Sequence, residues 1–253
     1  DGVDKGVRFG DINGDSIVDI LKANESSTST SYSITWTNNG SSTSYLLKNI
    51  TTSLGGVTYV EYQKSSYLDN KGDDSINDLS FNVWVVSNLT FNNSMTDVHN
   101  IASIYKYTYE DGNYNHSKGE FRGFNYVEEN VSSKVERHWF HQDEARKGKE
   151  YIVEILNKSN NSYKNIERLW NNTDKNNYHI VKLIEESGLS YDGSINNPKV
   201  KNTTYDYDDF GNIIFIRHKG DIADSSDDKY EYFNYLNNSN LWIVDRIKNY
   251  SLF

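Results

Sequence analysis

The sequence contains no cysteine, one proline and one methionine among 253 residues. Without cysteine the chain has no disulfide framework, no thiol nucleophile and no thiolate ligand for a metal. It also lacks a run of about eighteen apolar residues, the length that a membrane-spanning helix needs. Its formal net charge of −10 at pH 7 opposes binding to the phosphates of nucleic acid. These shortages exclude a disulfide-stabilised domain, a thiol enzyme and a phosphate-binding surface.

Aromatic residues are abundant, with 20 Tyr, 10 Phe and 5 Trp, and such residues favour strands. Short runs with period-two alternation, separated by clusters of Asn, Asp, Gly and Ser, occur at 57–62, 81–86, 104–109, 151–156, 180–184, 213–217, 230–235 and 242–247. Residues 135–140 also favour a strand, and residues 143–147 are compatible with one short helix that ends at Gly148. The pattern predicts an all-β fold of short antiparallel strands.

The most specific local motif is segment 11–19, DINGDSIVD. Its oxygen-bearing side chains are spaced so that a short loop can wrap around a hard cation such as calcium. The predicted ligands are the side chains of Asp11, Asn13, Asp15 and Asp19 and the main-chain carbonyl of Ile17. The segment differs from an EF-hand loop in the position of its glycine and in lacking the closing glutamate. The alternative is a turn rich in Asp and Asn that binds no ion.

Together with Phe9 and Gly10, this segment resembles the FG-GAP or VCBS-type repeat, whose copies form the blades of β-propellers. One copy is visible, and a propeller closes only with several blades. The resemblance therefore implies that residues 1–35 are a partial propeller repeat, with calcium as a structural cofactor.

Further segments, taken in order, resemble one known architecture: residues 56–62, 82–87, 109–114 with 120–124, 138–143 with 147–148, and 207–212. The last of these, YDDFGN from Tyr207 to Asn212, resembles the YD (Rhs) repeat, a hairpin with Gly-Asn at its turn. Together the segments are similar to the middle region of the B component of insecticidal toxin complexes and to relatives with SpvB-like and Rhs domains. The resemblance implies that residues 36–130 are the toxin-complex middle region and residues 131–253 a β-shell segment with a YD-type repeat.

The resemblance implies a non-enzymatic function. In that family a propeller leads into a hollow shell of spiralling strands that encloses a C-terminal polypeptide, and the assembly docks onto a partner. The implied partners are the remainder of a longer chain and a pore-forming or surface protein, with no nucleic acid and no membrane span in this segment. Tyrosine pairs between neighbouring strands, involving residues such as Tyr105, Tyr107 and Tyr232, would stabilise such a wall.

Thirteen Asn-X-Ser/Thr sequons occur, about twice the number expected by chance from the composition. They begin at Asn24, Asn39, Asn49, Asn88, Asn92, Asn115, Asn130, Asn157, Asn160, Asn171, Asn202, Asn237 and Asn249. Their excess is typical of a secreted or cell-surface glycoprotein, since glycans attach to exposed loops of exported proteins. Asn- and Ser-rich composition from an AT-rich genome explains the same excess without glycans.

Two catalytic constellations are weaker hypotheses. His138, His141 and Glu144 would share one face of a helix and bind a transition metal, but a strand over 135–140 separates the two histidines and favours a packing role. Glu128-Glu129 and Glu185-Glu186 would serve a glycosidase only if carboxylates from the two pairs faced each other across a cleft.

Two rival functions remain beside the shell segment. The first is a glycosylated adhesin or carbohydrate-binding β-protein, and the second is a polysaccharide-degrading enzyme. The absence of Met at the start and the apolar ending Leu252-Phe253 favour a piece of a longer polypeptide over a complete mature product.

Overall fold

A computed structural model describes residues 6–12, 18–26, 29–35, 46–72, 75–93, 95, 102–176, 178–191 and 196–253; for residues 23–26, 29–35 and 239 it describes the main chain only. Sixteen strands lie within this part of the chain. They are β1 (Val7–Gly10), β2 (Asp19–Ser26), β3 (Ser29–Thr35), β4 (Asn49–Thr51), β5 (Val57–Lys64), β6 (Trp84–Asn92), β7 (Ala102–Asn115), β8 (Glu120–Asn130), β9 (Lys134–Phe140), β10 (Glu150–Asn157), β11 (Ser162–Lys175), β12 (Tyr178–Ser190), β13 (Lys199–Tyr207), β14 (Ile213–Lys219), β15 (Lys229–Asn238) and β16 (Ile243–Leu252).

The chain divides into two units, Asp1–Phe121 and Arg122–Phe253. In the first, β1, β2 and β3 form a small antiparallel sheet, and β4 to β7 pair in chain order. The connection from β5 to β6, called the 65–83 loop below, is described at 65–72 and 75–83 and opens with a single 3-10 turn at Ser65–Tyr67. Within each of these two groups, consecutive strands pair with each other.

In the second unit, β8 to β16 also pair antiparallel in chain order. Sequential pairing follows from the short turns between strands, because an antiparallel pair needs only a hairpin connection. Gly123 lies within β8 at a φ of +84°, a left-handed conformation that glycine adopts without a steric penalty. The main chain of β8 therefore departs from extended geometry at Gly123, between Phe121 and Phe124.

Buried apolar side chains are few in the described residues. They are Leu79, Val85, Val131, Val135, Val153 and Leu156. Most strand residues of the second unit are instead partly exposed on both faces of the sheet. Both faces of this sheet are therefore partly accessible to solvent.

The all-β antiparallel prediction is confirmed, and each of the predicted runs lies in or overlaps a strand. The short helix expected at 143–147 is wrong: these residues form a turn, and the main-chain hydrogen bonds between His141 and Gly148 and between His141 and Lys149 close the loop before a helix can continue. The period-two alternation of apolar residues in the sequence does not predict β11 and β13, because polar residues occupy both faces of these strands. No helix in the described ranges is long and apolar enough to span a membrane.

Candidate functional site

Two of the five predicted calcium ligands, Asp11 and Asp19, lie in the described residues, and Asn13, Asp15 and Ile17 lie outside them. Asp19 begins β2 and pairs with Gly10, the last residue of β1. The side chain of Asp19 is fully buried, and its Oδ2 accepts the main-chain N–H of Ile12 at 3.0 Å. A buried carboxylate that holds the start of the loop suits either a cation site or a rigid turn.

His138, His141 and Glu144 do not converge. His138 Nδ1 lies 2.6 Å from Glu150 Oε1, whereas the ring of His141 stacks on Tyr151 with 4.5 Å between centroids. Glu144 forms an ion pair with Arg122. Burial and the charge of Arg146 lower the pKa of His141, and Asp143 opposes them only in part. No group of three metal-binding side chains occurs among the described residues, and these histidines pack within the sheet.

Glutamates of the two adjacent pairs, 128–129 and 185–186, bind side chains of neighbouring strands. Glu128 Oε2 accepts the Nε–H of Arg137 at 3.0 Å, and Glu186 Oε2 accepts the Nε–H of Arg168 at 2.7 Å. Glu185 accepts a hydrogen bond from Asn202 at 2.6 Å. Glu128 and Glu186 are thus each engaged by an arginine of a neighbouring strand within the sheet.

Charged residues link neighbouring strands on both faces of the second unit. On one face Arg137 of β9 lies between Glu128 of β8 and Glu154 of β10. On the other face Arg168 of β11 contacts Glu150 of β10 and Glu186 of β12. Glu154 of β10 pairs with Asn165 of β11, so these two side chains lie on one face. Arg168 is three residues beyond Asn165 in the same strand, so its side chain points to the opposite face. Both faces of this sheet are thus suited to contact with water.

The YDDFGN segment forms the turn between β13 and β14. The carboxylate of Asp208 accepts the main-chain N–H groups of Phe210 and Asn212, at 2.9 and 2.8 Å. Asn212 also donates its side-chain N–H to Asp208 and to the carbonyl of Val244 in β16. Burial alone would raise the pKa of the Asp208 carboxyl, but these hydrogen bonds outweigh it and the pKa lies below its usual value. Gly211 completes the turn at a φ of +92°.

Aromatic pairs join neighbouring strands, as the composition suggested. Their centroids are 5.3 Å apart for Phe91–Tyr105, 5.1 Å for Tyr126–Trp139, 5.9 Å for Phe215–Tyr232 and 5.1 Å for Phe233–Tyr250. Such pairs contribute roughly 0.2–1 kcal/mol each to pairing of the strands.

A polar cavity of about 530 Å³ lies beside the 65–83 loop. The sequence patterns do not predict it. Its lining includes the buried Ser65 and Asn70. Ser65 Oγ accepts the N–H of Val83 at 2.9 Å, and Asn82 Oδ1 accepts the N–H of Ser66 at 2.9 Å. These groups are used to hold the loop in place.

The sequons fall mainly in strands. Asn39 lies outside the described residues, and only the main chain of Asn24 is described. Asn160 lies in a turn, and the other ten sequon asparagines lie within strands: Asn49, Asn88, Asn92, Asn115, Asn130, Asn157, Asn171, Asn202, Asn237 and Asn249. Some are engaged within the sheet, such as Asn88, whose amide lies 2.6 Å from Glu61 Oε2. Glycan attachment stays a prediction.

Consecutive antiparallel hairpins with ion pairs on both faces define an all-β antiparallel protein. The family model described as the insecticide toxin TcdB middle/N-terminal region matches residues 3–149, more than half of the chain. The chain belongs to this family, and the toxin-complex resemblance is confirmed at that level. A comparison with curated proteins found no match.

Solved structures share the fold. The crystal structure of TcdB2-TccC3 without its hypervariable C-terminal region aligns with a TM-score of 0.68 at 14% identity, covering 98% of this chain and 16% of that one. The TcdB2-TccC3-Cdc42 crystal structure gives 0.68 at 14% identity, with 98% and 17% covered. The Photorhabdus luminescens Tc holotoxin pore with a TccC3 mutation gives 0.66 at 13%, with 98% and 16% covered. The chain thus spans about a sixth of each of these chains.

Proposed function

We propose that this chain is a non-enzymatic wall segment of a larger toxin-complex B-type protein. The observation that carries the proposal is the single layer of consecutive hairpins in the second unit, with ion pairs on both faces. An enzyme cleft would gather reactive groups on one side, whereas here Arg137 and Arg168 bind their carboxylates on opposite faces. A wall between two aqueous spaces needs both faces to be hydrated.

Family membership extends the proposal to enclosure. The matched structures contain TccC3, and one is a holotoxin pore. We propose that the wall surrounds a C-terminal polypeptide of the same longer chain and that the assembly docks onto a partner protein, in a secreted or cell-surface toxin. The YD-type turn at Asp208 and the loop at Asp19 are the features that suit an Rhs-type shell and the end of a propeller, respectively.

Protease protection tests enclosure in the longer polypeptide that contains this segment. With an intact wall, we expect the C-terminal polypeptide to resist a protease that digests it after denaturation. Val153→Asp introduces a charge at a position only 6% exposed, so we expect it to open the wall and expose the polypeptide. Lys164→Asp, on an exposed position of β11, is the matched control and should leave protection intact. Equal cleavage of the wild type, before denaturation, and of Val153→Asp would contradict enclosure.

Calcium binding at segment 11–19 is a separate proposal, supported by the ligand spacing and by the buried carboxylate of Asp19. Chelation should lower the thermal midpoint of the first unit, and Asp15→Ala should do so without a chelator. Asp19→Asn keeps an acceptor for the Ile12 N–H but removes a charge, so it should weaken calcium binding more than it lowers the midpoint without calcium. An unchanged midpoint after both chelation and Asp15→Ala would remove calcium from the proposal.

A further inference from the structure

From β4 onward, six hairpins in the described residues join an even-numbered strand to the odd-numbered strand that follows it, the last being β14–β15. In each, the ladder of paired residues runs from the turn and stops at the open end of the hairpin. In β10–β11 it stops at Ile152 and Glu167, although β11 continues to Lys175. Main-chain carbonyls beyond that pair need other donors.

Trp170 supplies one of these donors. It lies three residues after Glu167, and its indole Nε1–H donates to the carbonyl oxygen of Glu150 at 2.8 Å. Glu150 lies two residues before Ile152, the last paired residue of β10. The side chain therefore spans the two strands just past the point where the ladder ends.

Four tyrosines have the same arrangement, with the donor three residues after the last ladder pair and the acceptor two residues before it. Each hydroxyl donates to a carbonyl of the preceding strand or the residues leading into it: Tyr62 to Leu47 at 3.0 Å, Tyr109 to Val86 at 2.9 Å, Tyr207 to Leu183 at 2.6 Å and Tyr235 to Ile213 at 2.9 Å. The last ladder pairs are Asn49–Tyr59, Asn88–Lys106, Glu185–Thr204 and Phe215–Tyr232. In every case the donor is three residues beyond the pair and the acceptor two residues before it.

A change of register accompanies four of these five aromatic residues. The shift against the next strand falls immediately before the aromatic residue, at Glu61/Tyr62, Leu169/Trp170, Asp206/Tyr207 and Asn234/Tyr235. In each case the extra residue belongs to the next strand: Ser87, Ile184, Ile214 and Lys248. A bulge bends the strand that carries it and increases the local twist. Each of these four aromatic residues therefore lies between a bulge in the next strand and its acceptor on the preceding one.

The sixth hairpin, β8–β9, uses a different donor. Gln142 lies three residues after Trp139, which pairs with Tyr126 at the end of the ladder. Its side-chain N–H donates to the carbonyl of Gly123 at 3.0 Å. Gly123 lies three residues before the last paired residue, Tyr126, whereas the acceptor lies two residues before it in the other hairpins. The position is retained while the chemical group changes.

We propose that Tyr62, Tyr109, Gln142, Trp170, Tyr207 and Tyr235 are equivalent positions of an internal two-strand repeat, and that each latches the open end of its hairpin. These residues are called the latch residues below. The repeat runs through both units and does not depend on the enclosed polypeptide. It assigns the tyrosine of the YD-type turn, Tyr207, the same role as Trp170 and Tyr62, whose surrounding sequences do not resemble that turn.

The protonation of the phenols agrees with a donor role. Burial raises the pKa of Tyr109 to about 12. Burial also raises the pKa of Tyr207, with a further contribution from Tyr205, and that of Tyr235, with a contribution from Asp208. These hydroxyls therefore keep their protons at neutral pH.

Hydrogen exchange on the whole 253-residue chain tests the latch. Tyr207→Phe removes one oxygen atom, and we expect exchange around Glu185 and Thr204 to accelerate about five- to tenfold. Exchange around Ser190 and Lys199, at the turn end of the same hairpin, should change less than about twofold. Trp170→Phe should act in the same way around Ile152 and Glu167.

Two comparisons separate a latch from general destabilisation. Trp170→Tyr retains a polar tip and should restore most of the protection that Trp170→Phe loses. Tyr163→Phe, at a tyrosine that is 52% exposed on β11, should change exchange little at either end. The proposal is overturned if Tyr207→Phe leaves the open end unchanged or accelerates exchange evenly along the hairpin. It is also overturned if Trp170→Tyr behaves like Trp170→Phe; should Trp170→Phe fail to fold, Tyr207→Phe decides.

Discussion

Both units bury apolar side chains, but only the first also buries polar ones among the described residues. All four buried polar or charged residues of the described chain, Asp19, Lys64, Ser65 and Asn70, belong to the first unit. In the second unit the buried side chains are apolar, as with Val153 and Leu156, and its charges stay partly exposed between strands. The first unit is thus fixed by specific hydrogen bonds in its loops, and the second by repeated strand pairing.

This difference has an energetic consequence. A buried polar group that loses its partner costs about 1–3 kcal/mol, so the first unit should be sensitive to single atoms in its loops. Partly exposed ion pairs contribute about 0–1 kcal/mol each, so the second unit should tolerate losing any one of them. The comparison can be tested one substitution at a time.

The largest effect is expected from Leu156→Ala in the second unit. Leu156 is 5% exposed, and truncating a buried leucine costs about 2–5 kcal/mol because it leaves a cavity. Leu169→Ala, at a side chain that is 53% exposed, is the control and should cost less than about 0.5 kcal/mol. Hydrogen exchange followed separately in each unit would measure both, and equal costs would contradict an apolar basis for the second unit.

A smaller loss, about 1–3 kcal/mol, is expected from Ser65→Ala in the first unit. The change removes the acceptor for Val83 N–H and the donor to Asn82 Oδ1. Ser66→Ala, at the adjacent exposed residue, should have little effect. If the two variants unfolded the 65–83 loop equally, the first unit would not depend on buried hydrogen bonds.

Arg168→Gln should destabilise the second unit by about 1 kcal/mol or less, because the ion pairs with Glu150 and Glu186 are partly exposed to solvent. The loss should shrink as salt is added, since salt screens such pairs. Denaturant unfolding at low and high ionic strength measures it. A loss as large as that of Leu156→Ala, and independent of salt, would show that the second unit relies on its charges.

The smallest expected effect is the loss, at acid pH, of the stability that the Asp208 carboxylate contributes. The pKa of Asp208 is lowered in the folded chain, so its stabilising contribution is complete above the ordinary carboxyl value of about 3.9 and is lost as pH falls through the lower folded value. Asp208→Asn should therefore be less stable than wild type near neutral pH, and the gap should close in acid. A gap that widened on acidification would contradict the hydrogen-bonded turn.

The sequence reveals strands where one face is apolar, as in 104–109, because alternation then records which face is buried. It does not reveal β11, where Arg168 and Glu167 occupy opposite faces and neither face is apolar. The latch escapes sequence comparison for another reason: Trp170 and Tyr207 share a place in the register but neither a residue type nor a common spacing. Contacts such as Arg137 with Glu154 likewise depend on register, which alternation alone does not fix.

Chemical labelling of the two faces of β11 tests the wall most directly. Lys164 and Glu167 are exposed residues on opposite faces of this strand, and the segment contains no cysteine of its own. Lys164→Cys and Glu167→Cys, each placed in a cysteine-free version of the longer polypeptide, would be treated with a membrane-impermeant maleimide. If the strand lines a closed shell, one position labels rapidly and the other stays protected until the shell is opened, whereas both label alike in the isolated 253-residue chain. Rapid and equal labelling of both positions in the intact protein would show that the strand encloses nothing.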